Sequence, residues 1–274
     1  MDNIYYPFEA EVTDIKKETP TIKTFHFKLA KPVTFKAGQF MQLTVPGIGE
    51  APFTPSSRPG EVQEMEITIL KTGRVTDVLH NEVKVGDRLG LRGPFGKGYP
   101  IDKFIGKEIL IIGGGVGLAP LRSLIYALFD RVDDLKKISI CYGTKTTKDQ
   151  CFKDEYDKWA AMPKTSLNLT IDVLCPDWEG TVGVVTCLLE KDRLDVDVRN
   201  SYTVSCGPQI MLKFVTIKLM EVGFKPEQIY LSMNRRMSCG VGKCGRCNIG
   251  PYYLCKDGPD LCYADIKDYP NVFD

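Results

Sequence analysis

The hydrophobic residues of this chain change their period near residue 103, and that change limits what either side can fold into. Before it, apolar residues alternate with polar ones. Phe25, Phe27 and Leu29 interleave with His26 and Lys28, Met41, Leu43 and Val45 with Gln42 and Thr44, and Met65, Ile67 and Ile69 with Glu66 and Thr68. A period of two puts one set of side chains on each face of a half-buried strand. Breakers at Pro46-Gly47, Pro59-Gly60, Gly86-Asp87, Gly93-Pro94 and Gly96 separate the segments, and short strands at this spacing predict a small antiparallel barrel. Beyond residue 103 the run "EILIIGG" is continuously apolar and reads as a strand buried on both faces of a parallel sheet, and "ISICYG", "LTIDVLC", "YTVSCG" and "IYLSM" read as further strands. Helical candidates lie between them. One carries Leu118, Leu121, Ile125 and Leu128 on a single face with Pro120 in its first turn, and others fall around 150–161, 183–190 and 208–222. Strands alternating with helices predict a doubly wound α/β domain. The expected architecture is a β-barrel plus α/β, divided as 1–102, 103–233 and a small lobe at 234–274. That lobe has few apolar periods and is expected to be held by whatever its cysteines bind.

Charge excludes some functions. Lys and Arg total 36 against 35 Asp and Glu, so nothing calls for nucleic acid or an anionic membrane surface. The opening "MDNIYYPFEA" lacks the basic start and apolar core of a signal peptide. The longest apolar run, "ILIIGGGVGLAPL", is glycine-rich and stops at Arg122, short of a membrane span. A cytoplasmic protein without membrane insertion is the expectation. Only His26 and His80 are present, which leaves no basis for a histidine triad or a multi-histidine zinc site.

Of ten cysteines, Cys141, Cys151, Cys175, Cys187 and Cys206 are scattered and read mostly as small buried hydrophobes. The other five crowd into 239–262, where a reducing compartment favours metal binding over pairing. Cys239, Cys244, Cys247 and Cys255 are spaced C-x4-C-x2-C-x7-C, with the x4/x2 interval of plant-type [2Fe–2S] loops. Gly240, Gly242 and Gly245 let such a loop curl with N–H groups turned inward. Zinc, which favours paired C-x2-C knuckles, remains the alternative, and a disulfide a lesser one. Cys262 is a fifth thiol, read as a spare residue.

Other stretches carry weaker signals. "IIGGGVGLAPLRSL" places glycines between a buried strand and a helix, where a pyrophosphate can approach the backbone, although Leu118 stands where G-x-G-x-x-G would have its third glycine. "APFTPSS" (51–57) and "KTGRVTDVL" (71–79) gather hydroxyls that suit a flavin or an ordinary turn. In "VSCGPQIML", Cys206 ends a strand before the Gly207-Pro208 turn.

Taken in order, "FKAGQFMQLTVPGIGEAPFTPSS", "KTGRVTDVLH", "LRGPFGKGYP", "GGGVGLAPLRS", "CGPQIM" and "RRMSCGVGKCGRCNIG…YLCKDGP" resemble the ferredoxin–NADP⁺ reductase superfamily over nearly the whole chain. More narrowly they resemble its cluster-bearing flavin subunits: the sulfhydrogenase gamma subunit, the flavin-bearing subunit of anaerobic sulfite reductase, and the electron-transfer subunit of dihydroorotate dehydrogenase B. The resemblance implies an FAD-binding barrel, an NAD(P)-binding α/β domain and a C-terminal [2Fe–2S] lobe. It implies an NAD(P)H-dependent oxidoreductase that passes electrons to or from the catalytic and electron-transfer subunits of a larger redox complex. A free-standing NAD(P)H:ferredoxin reductase and a zinc-bound nucleotide-sensing module are the alternatives. By the same resemblance Phe53, Thr54, Ser56, Ser57 and Leu70 would face FAD, and Gly73, Arg74, Val75 and Thr76 its pyrophosphate. Ala51 stands where the superfamily has an arginine, and Arg74 is read as its substitute. Gly114, Gly115, Gly117 and Pro120 would form the NAD(P) turn. Cys206, Gly207 and Pro208 would stand near the nicotinamide, with Cys206 in the catalytic position. Cys239, Cys244, Cys247 and Cys255 would bind the cluster.

Overall fold

A computed structural model describes residues 3–273, so the first two residues of the amino-terminal stretch lie outside the described residues. The strands are β1 (Phe8–Lys17), β2 (Ile22–Phe35), β3 (Phe40–Val45), β4 (Gly49–Phe53) and β5 (Gly60–Leu70), then helix α1 (Arg74–Asn81) and β6 (Arg88–Phe95). They form one antiparallel sheet in the order β4-β3-β6-β1-β2-β5. The predicted alternation is its mechanical basis: Phe25, Phe27, Leu29, Met65, Ile67 and Ile69 all point into one buried core. Gln42 breaks the pattern. Alternation puts it on the polar face of β3, yet it is only 1% exposed, because the C-terminal segment covers that face.

The second half contains β7 (Glu108–Gly114), α2 (Leu118–Phe129), β8 (Lys137–Thr144), α3 (Tyr156–Ala160), β9 (Thr165–Ile171), β10 (Thr181–Val182), β11 (Ser201–Cys206), α4 (Gln209–Val222) and β12 (Ile229–Ser232). Its sheet runs β10-β9-β8-β7-β11-β12 with parallel pairings. Residues Ile109 and Ile111 face one apolar core, Leu110 and Ile112 the other, which is why "EILII" shows no alternation. The stretch 183–190, expected as a helix, is only a 3₁₀ turn at Val185–Leu189, and the 150–161 candidate contracts to α3 with a 3₁₀ turn before it.

The tail adds β13 (Asn248–Ile249), β14 (Tyr252–Tyr253), α5 (Leu254–Asp257), β15 (Asp260–Cys262) and α6 (Tyr263–Ile266). It is held by more than its cysteines. β15 pairs antiparallel with β12 as the sheet's edge strand, and Leu254, Leu261 and Ile266 are buried in the sheet's second core. Apolar residues so widely spaced in a polar sequence leave little period to detect.

A polar seam joins the barrel to the α/β half. From α2, Arg122 donates to the Ser56 carbonyl at 3.0 Å and to the Glu66 carboxylate, both on the barrel, and pairs with Glu155 at 2.6 Å. Burial works against the guanidinium charge, but Glu66 and Glu155 outweigh it and raise its pKa. Lys16–Asp154 and Arg58–Asp130 are further ion pairs across the seam, and the Phe152 N–H donates to Glu18 at 3.0 Å. Among the described residues no helix is long and apolar enough to cross a membrane.

Candidate functional site

Between the barrel and the α/β half lies a cavity of about 380 Å³, within the range of small-molecule sites. The barrel contributes Phe53, Thr54, Thr68, Leu70, Thr72 and Thr76; the nucleotide turn contributes Gly114, Gly115, Gly117 and Pro120; the β11 turn contributes Cys206, Gly207 and Pro208. Of these, only Thr68 and Thr72 lie outside the sequence expectation. The fold brings the rest together from motifs far apart in the chain.

The turn after β7 is shaped by close approach. Gly115 has φ +54°, and a Cβ on Gly117 would collide with the Cys206 carbonyl and the Gly207 backbone nitrogen. Both glycines are required by backbone, not side-chain, geometry. Ala119 and Pro120 of the first turn of α2 line the cavity, and the Leu118 N–H is taken up by the Gly115 and Val116 carbonyls.

Other expected residues lie elsewhere. Ser56 is fully buried, and its hydroxyl is 2.9 Å from that of Thr68 and bonds the Glu66 carbonyl at 3.3 Å. The Ser57 hydroxyl accepts from the Glu66 N–H at 3.2 Å. Both serines brace the strand entering β5 and are absent from the cavity wall. Gly73, Arg74 and Val75 are also absent from it, and Arg74 is exposed at the first turn of α1. The segment read as a turn is thus the start of a helix. The Thr76 hydroxyl closes it, accepting from the N–H groups of Thr72 at 2.9 Å and Gly73 at 2.8 Å and donating to the Gly73 carbonyl.

The cysteine loop curls through positive φ at Gly240 (78°), Gly242 (72°) and Gly245 (72°). Its N–H groups turn inward: Val241 and Lys243 donate to Cys239 Sγ at 3.4 and 3.3 Å, and Gly242 donates to Cys255 Sγ at 3.1 Å. Cys239 lies against Cys244, and Cys255 against Cys247. Burial disfavours the Cys239 thiolate, but the N–H donors of Val241, Cys244 and Lys243 outweigh it and bring its pKa down to about 6. Burial, then the neighbouring Cys247, push Cys255 up to about 12. Among the described residues no three Cys, His, Asp or Glu side chains are arranged to hold a single metal ion. The thiols gather two and two, Cys239 with Cys244 and Cys247 with Cys255. Cys262 turns away, its Sγ 3.6 Å from the Pro226 carbonyl.

What holds this loop leaves no signal in the sequence. Gln42 of β3 donates to the Met237 carbonyl at 2.6 Å. Arg92 of β6, paired with Glu50 at 2.5 Å, donates to the Cys239 carbonyl at 2.8 Å and that of Ser238 at 3.2 Å. The Phe95 ring packs where a Cβ on Gly240 would stand. Met237, just before the first cysteine of the loop, is itself part of the cavity wall. The cavity and the thiol cluster are therefore neighbours through a single short segment.

Behind the cavity lies a buried polar group. Tyr99 Oη is 2.7 Å from Ser232 Oγ, and Ser232 donates to Asp260 Oδ1. Burial pushes Asp260 up to about 7, and it pushes Cys206 up to about 12, with Asp260 adding to the effect on the thiol.

A barrel and a parallel sheet meeting at such a cavity, with a thiol loop at its rim, define a flavin- and nicotinamide-dependent oxidoreductase of the ferredoxin–NADP⁺ reductase-like class. Family models agree: an oxidoreductase FAD-binding domain over residues 9–99, an oxidoreductase NAD-binding domain over 111–216, and the iron–sulfur cluster binding domain of dihydroorotate dehydrogenase B over 234–267. Sulfhydrogenase 1 subunit gamma of Pyrococcus furiosus is 37% identical over all of this chain and 96% of its own length. The probable dihydroorotate dehydrogenase B (NAD(+)) electron transfer subunit of the same organism is 32% identical over 85% of this chain and 82% of its own. Among solved structures, an NADH-dependent reduced ferredoxin-NADP oxidoreductase superposes with a TM-score of 0.77 at 24% identity, covering 99% of this chain and 93% of that one. The chain belongs to the family of sulfhydrogenase gamma subunits and dihydroorotate dehydrogenase B electron-transfer subunits.

Proposed function

We propose that this chain is the electron-transfer subunit of a larger redox complex, passing electrons between NAD(P)H, FAD and a [2Fe–2S] cluster to or from a catalytic partner of hydrogenase or sulfite-reductase type. The observation that carries the reading is contiguity: Met237 belongs at once to the cavity wall and to the loop bearing the thiols. The division 1–102, 103–233 and 234–274 is retained as a functional one, for flavin, nucleotide and cluster.

The donor sets fit these groups. Phe53, Thr54 and Leu70 offer an apolar wall with a hydroxyl for a flavin ring, and the start of α1, its first turn closed by the Gly73–Thr76 bond, offers the Arg74 and Val75 N–H groups and the Arg74 cation to its pyrophosphate. Gly114, Gly115, Gly117 and Pro120 admit a dinucleotide backbone, and Cys206, Gly207 and Pro208 face the nicotinamide position. Four thiols in two pairs, with inward N–H donors, fit a dinuclear cluster. When bound, a flavin accepts a hydride and yields electrons singly, and an iron–sulfur cluster takes one at a time.

The chain's own residues orient and insulate. Gly117 lets the nucleotide turn close on β11, which fixes the approach to the cavity. Arg122 locks the barrel's Ser56–Glu66 segment to α2, so the two halves keep one spacing. Gln42 and Arg92 hold the cluster loop at the barrel's edge. Loop N–H groups stabilise thiolate charge. Cys244 is exposed beside Lys243 and Arg246, so the outlet faces solvent on a basic rim suited to an acidic partner.

Anaerobically purified protein tests the reading. It should be brown-yellow, hold iron and sulfide in equal amounts, and bleach with NADH or NADPH. A colourless preparation with one zinc per chain would refute it. Co-purification with catalytic subunits, against isolation alone with ferredoxin-reducing activity, separates the complex from the free-standing enzyme.

A further inference from the structure

The proposed electron path leaves a proton to account for. Oxidising NAD(P)H removes a hydride, and a hydride that departs as separate electrons leaves its proton behind: NAD(P)H → NAD(P)⁺ + H⁺ + 2e⁻. The electrons leave by the cluster, and the proton has to leave by another route. Neither histidine is placed to take it. His80 Nε2 is engaged with the Ile69 carbonyl at 2.9 Å, and His26, near Asp14 and Glu66, lies beside Arg122 and Tyr126 and is not part of the cavity wall. Of the side chains lining the cavity, only Cys206 and Asp260 titrate in a useful sense. Cys206, pushed up to about 12 by burial and by Asp260, stays protonated near neutrality and accepts nothing.

Asp260 occupies an unusual position. It lies on β15 opposite Ser232 of β12, is 7% exposed, and lines the cavity on one side. On the other side it lines a second, outer groove of about 700 Å³, together with Tyr99. Oδ1 accepts from Ser232, whose hydroxyl meets Tyr99 Oη, while Oδ2 has no partner among the described residues. The absence of a side chain at Gly38 leaves room for Oδ2, since a Cβ there would strike it. A buried carboxyl with one oxygen committed and the other unsatisfied is costly unless that oxygen has work with a ligand or a proton.

We propose that Asp260 is a proton-relay residue, exchanging one proton between the cavity and the outer groove through its carboxyl group together with Ser232 and Tyr99. The proposal rests on the electron-transfer reading above. In the oxidising direction the carboxyl group takes a proton from the cavity, and the Ser232 and Tyr99 hydroxyls in line with Oδ1 pass one on to the outer groove. No electrons move in that step, and the reverse flow imports a proton by the same route. Burial, opposed by the hydrogen bond from Ser232 and by the nearby Tyr99 hydroxyl, raises Asp260 to about 7, so both forms are populated near neutrality. The groups facing it are Tyr99 from the 97–100 segment, Cys206 from β11 and Ser232 from β12, with Lys36, Lys97 and Asp257 farther out around the groove.

The test uses the holoprotein and its Asp260→Asn variant, which keeps shape and removes the exchangeable proton. Infrared difference spectra from about pH 5 to about pH 9 should show one carboxylic acid band that disappears through about pH 7 in the wild type and is missing from the variant. Stopped-flow reoxidation of NAD(P)H-reduced protein by an external one-electron acceptor should accelerate as pH rises through about 7. In Asp260→Asn it should be about tenfold or more slower, flat with pH and without its solvent isotope effect. The reductive half-reaction, which transfers hydride alone, should slow by a smaller factor. Tyr99→Phe, which cuts the groove side of the chain, should give an intermediate loss. An unchanged infrared titration in Asp260→Asn, or an unchanged pH profile of reoxidation, would refute the relay alone. A wild-type protein that holds no flavin, or does not bleach with either nucleotide, would refute the underlying reading and the relay with it.

Discussion

Arg122 offers the sharpest test of how the two halves are held. It is 8% exposed, lies over the Phe152 ring at 4.7 Å and the Tyr126 ring at 5.0 Å, and joins Glu66 on the barrel to Glu155 before α3. Glu155 also accepts from Trp159 Nε1 at 3.2 Å and from Tyr126. Arg122→Met preserves length and apolar contact but strands a buried carboxylate and a half-buried one. Removing one member of a buried ion pair costs about 3–5 kcal/mol. The Glu66 side chain is 27% exposed, so water recovers part of the loss and about 3 kcal/mol is expected. In a domain of this size that is a fall of about 6–12 °C in melting temperature. The assay is thermal unfolding of the holoprotein followed by flavin fluorescence, repeated for Glu155→Gln and the double variant. The double variant should recover roughly half of the loss, since the stranded charge is then gone. Arg58→Met provides the contrast: its pair with Asp130 is half exposed on both sides and should cost under about 1 kcal/mol. If Arg122→Met melted within the range of Arg58→Met, the seam would be held by apolar packing and the ion network would be incidental.

Cys244→Ser should abolish the cluster's EPR signal while leaving flavin reduction by NAD(P)H in place, whereas Cys262→Ser should leave iron content unchanged. Gly117→Ala should raise the NAD(P)H dissociation constant about tenfold or more, or about 1.4 kcal/mol, because the new methyl group meets backbone atoms of Cys206 and Gly207 that cannot swing aside; equal affinity by titration would show that the turn has slack. Asp260 also sets a pH trend in stability. Its folded pKa of about 7 exceeds the unfolded carboxylate value of about 4, so the native state holds a proton that the unfolded state has lost, and stability falls as pH rises between those values. Asp260→Asn should therefore gain up to about 4 kcal/mol over wild type at pH above 7 and nothing at about pH 4; denaturant melts at both pH values measure it, and a gain equal at both would contradict the assignment.

The sequence is most legible where one face of an element decides its fate. Alternation locates β2, β3 and β5, and the unbroken run before Gly113 marks a sheet covered on both sides. The spacing of Cys239, Cys244, Cys247 and Cys255 is informative because a curled loop is a local object. Less visible are contacts joining distant segments. The Gln42–Met237 and Arg92–Cys239 bonds span 195 and 147 positions, and neither glutamine nor arginine leaves a periodic trace when its partner is a backbone carbonyl. Ser56 and Ser57 show the converse: a hydroxyl motif suggests ligand contact, and in the fold both hydroxyls bond at the entry to β5. Asp260 reads locally as one more turn residue after Gly258-Pro259, and only the pairing of β15 with β12 takes it inside.

The tail's two attachments set a limit on movement. Its start is fastened to the barrel through Met237 and Cys239, and its later strand is stitched to the sheet through Tyr230, Leu231 and Ser232. The covalent segment between them works as a tie rod across the cleft. Separating the two halves would therefore break either the Gln42 and Arg92 bonds to the tail or the pairing of β12 with β15.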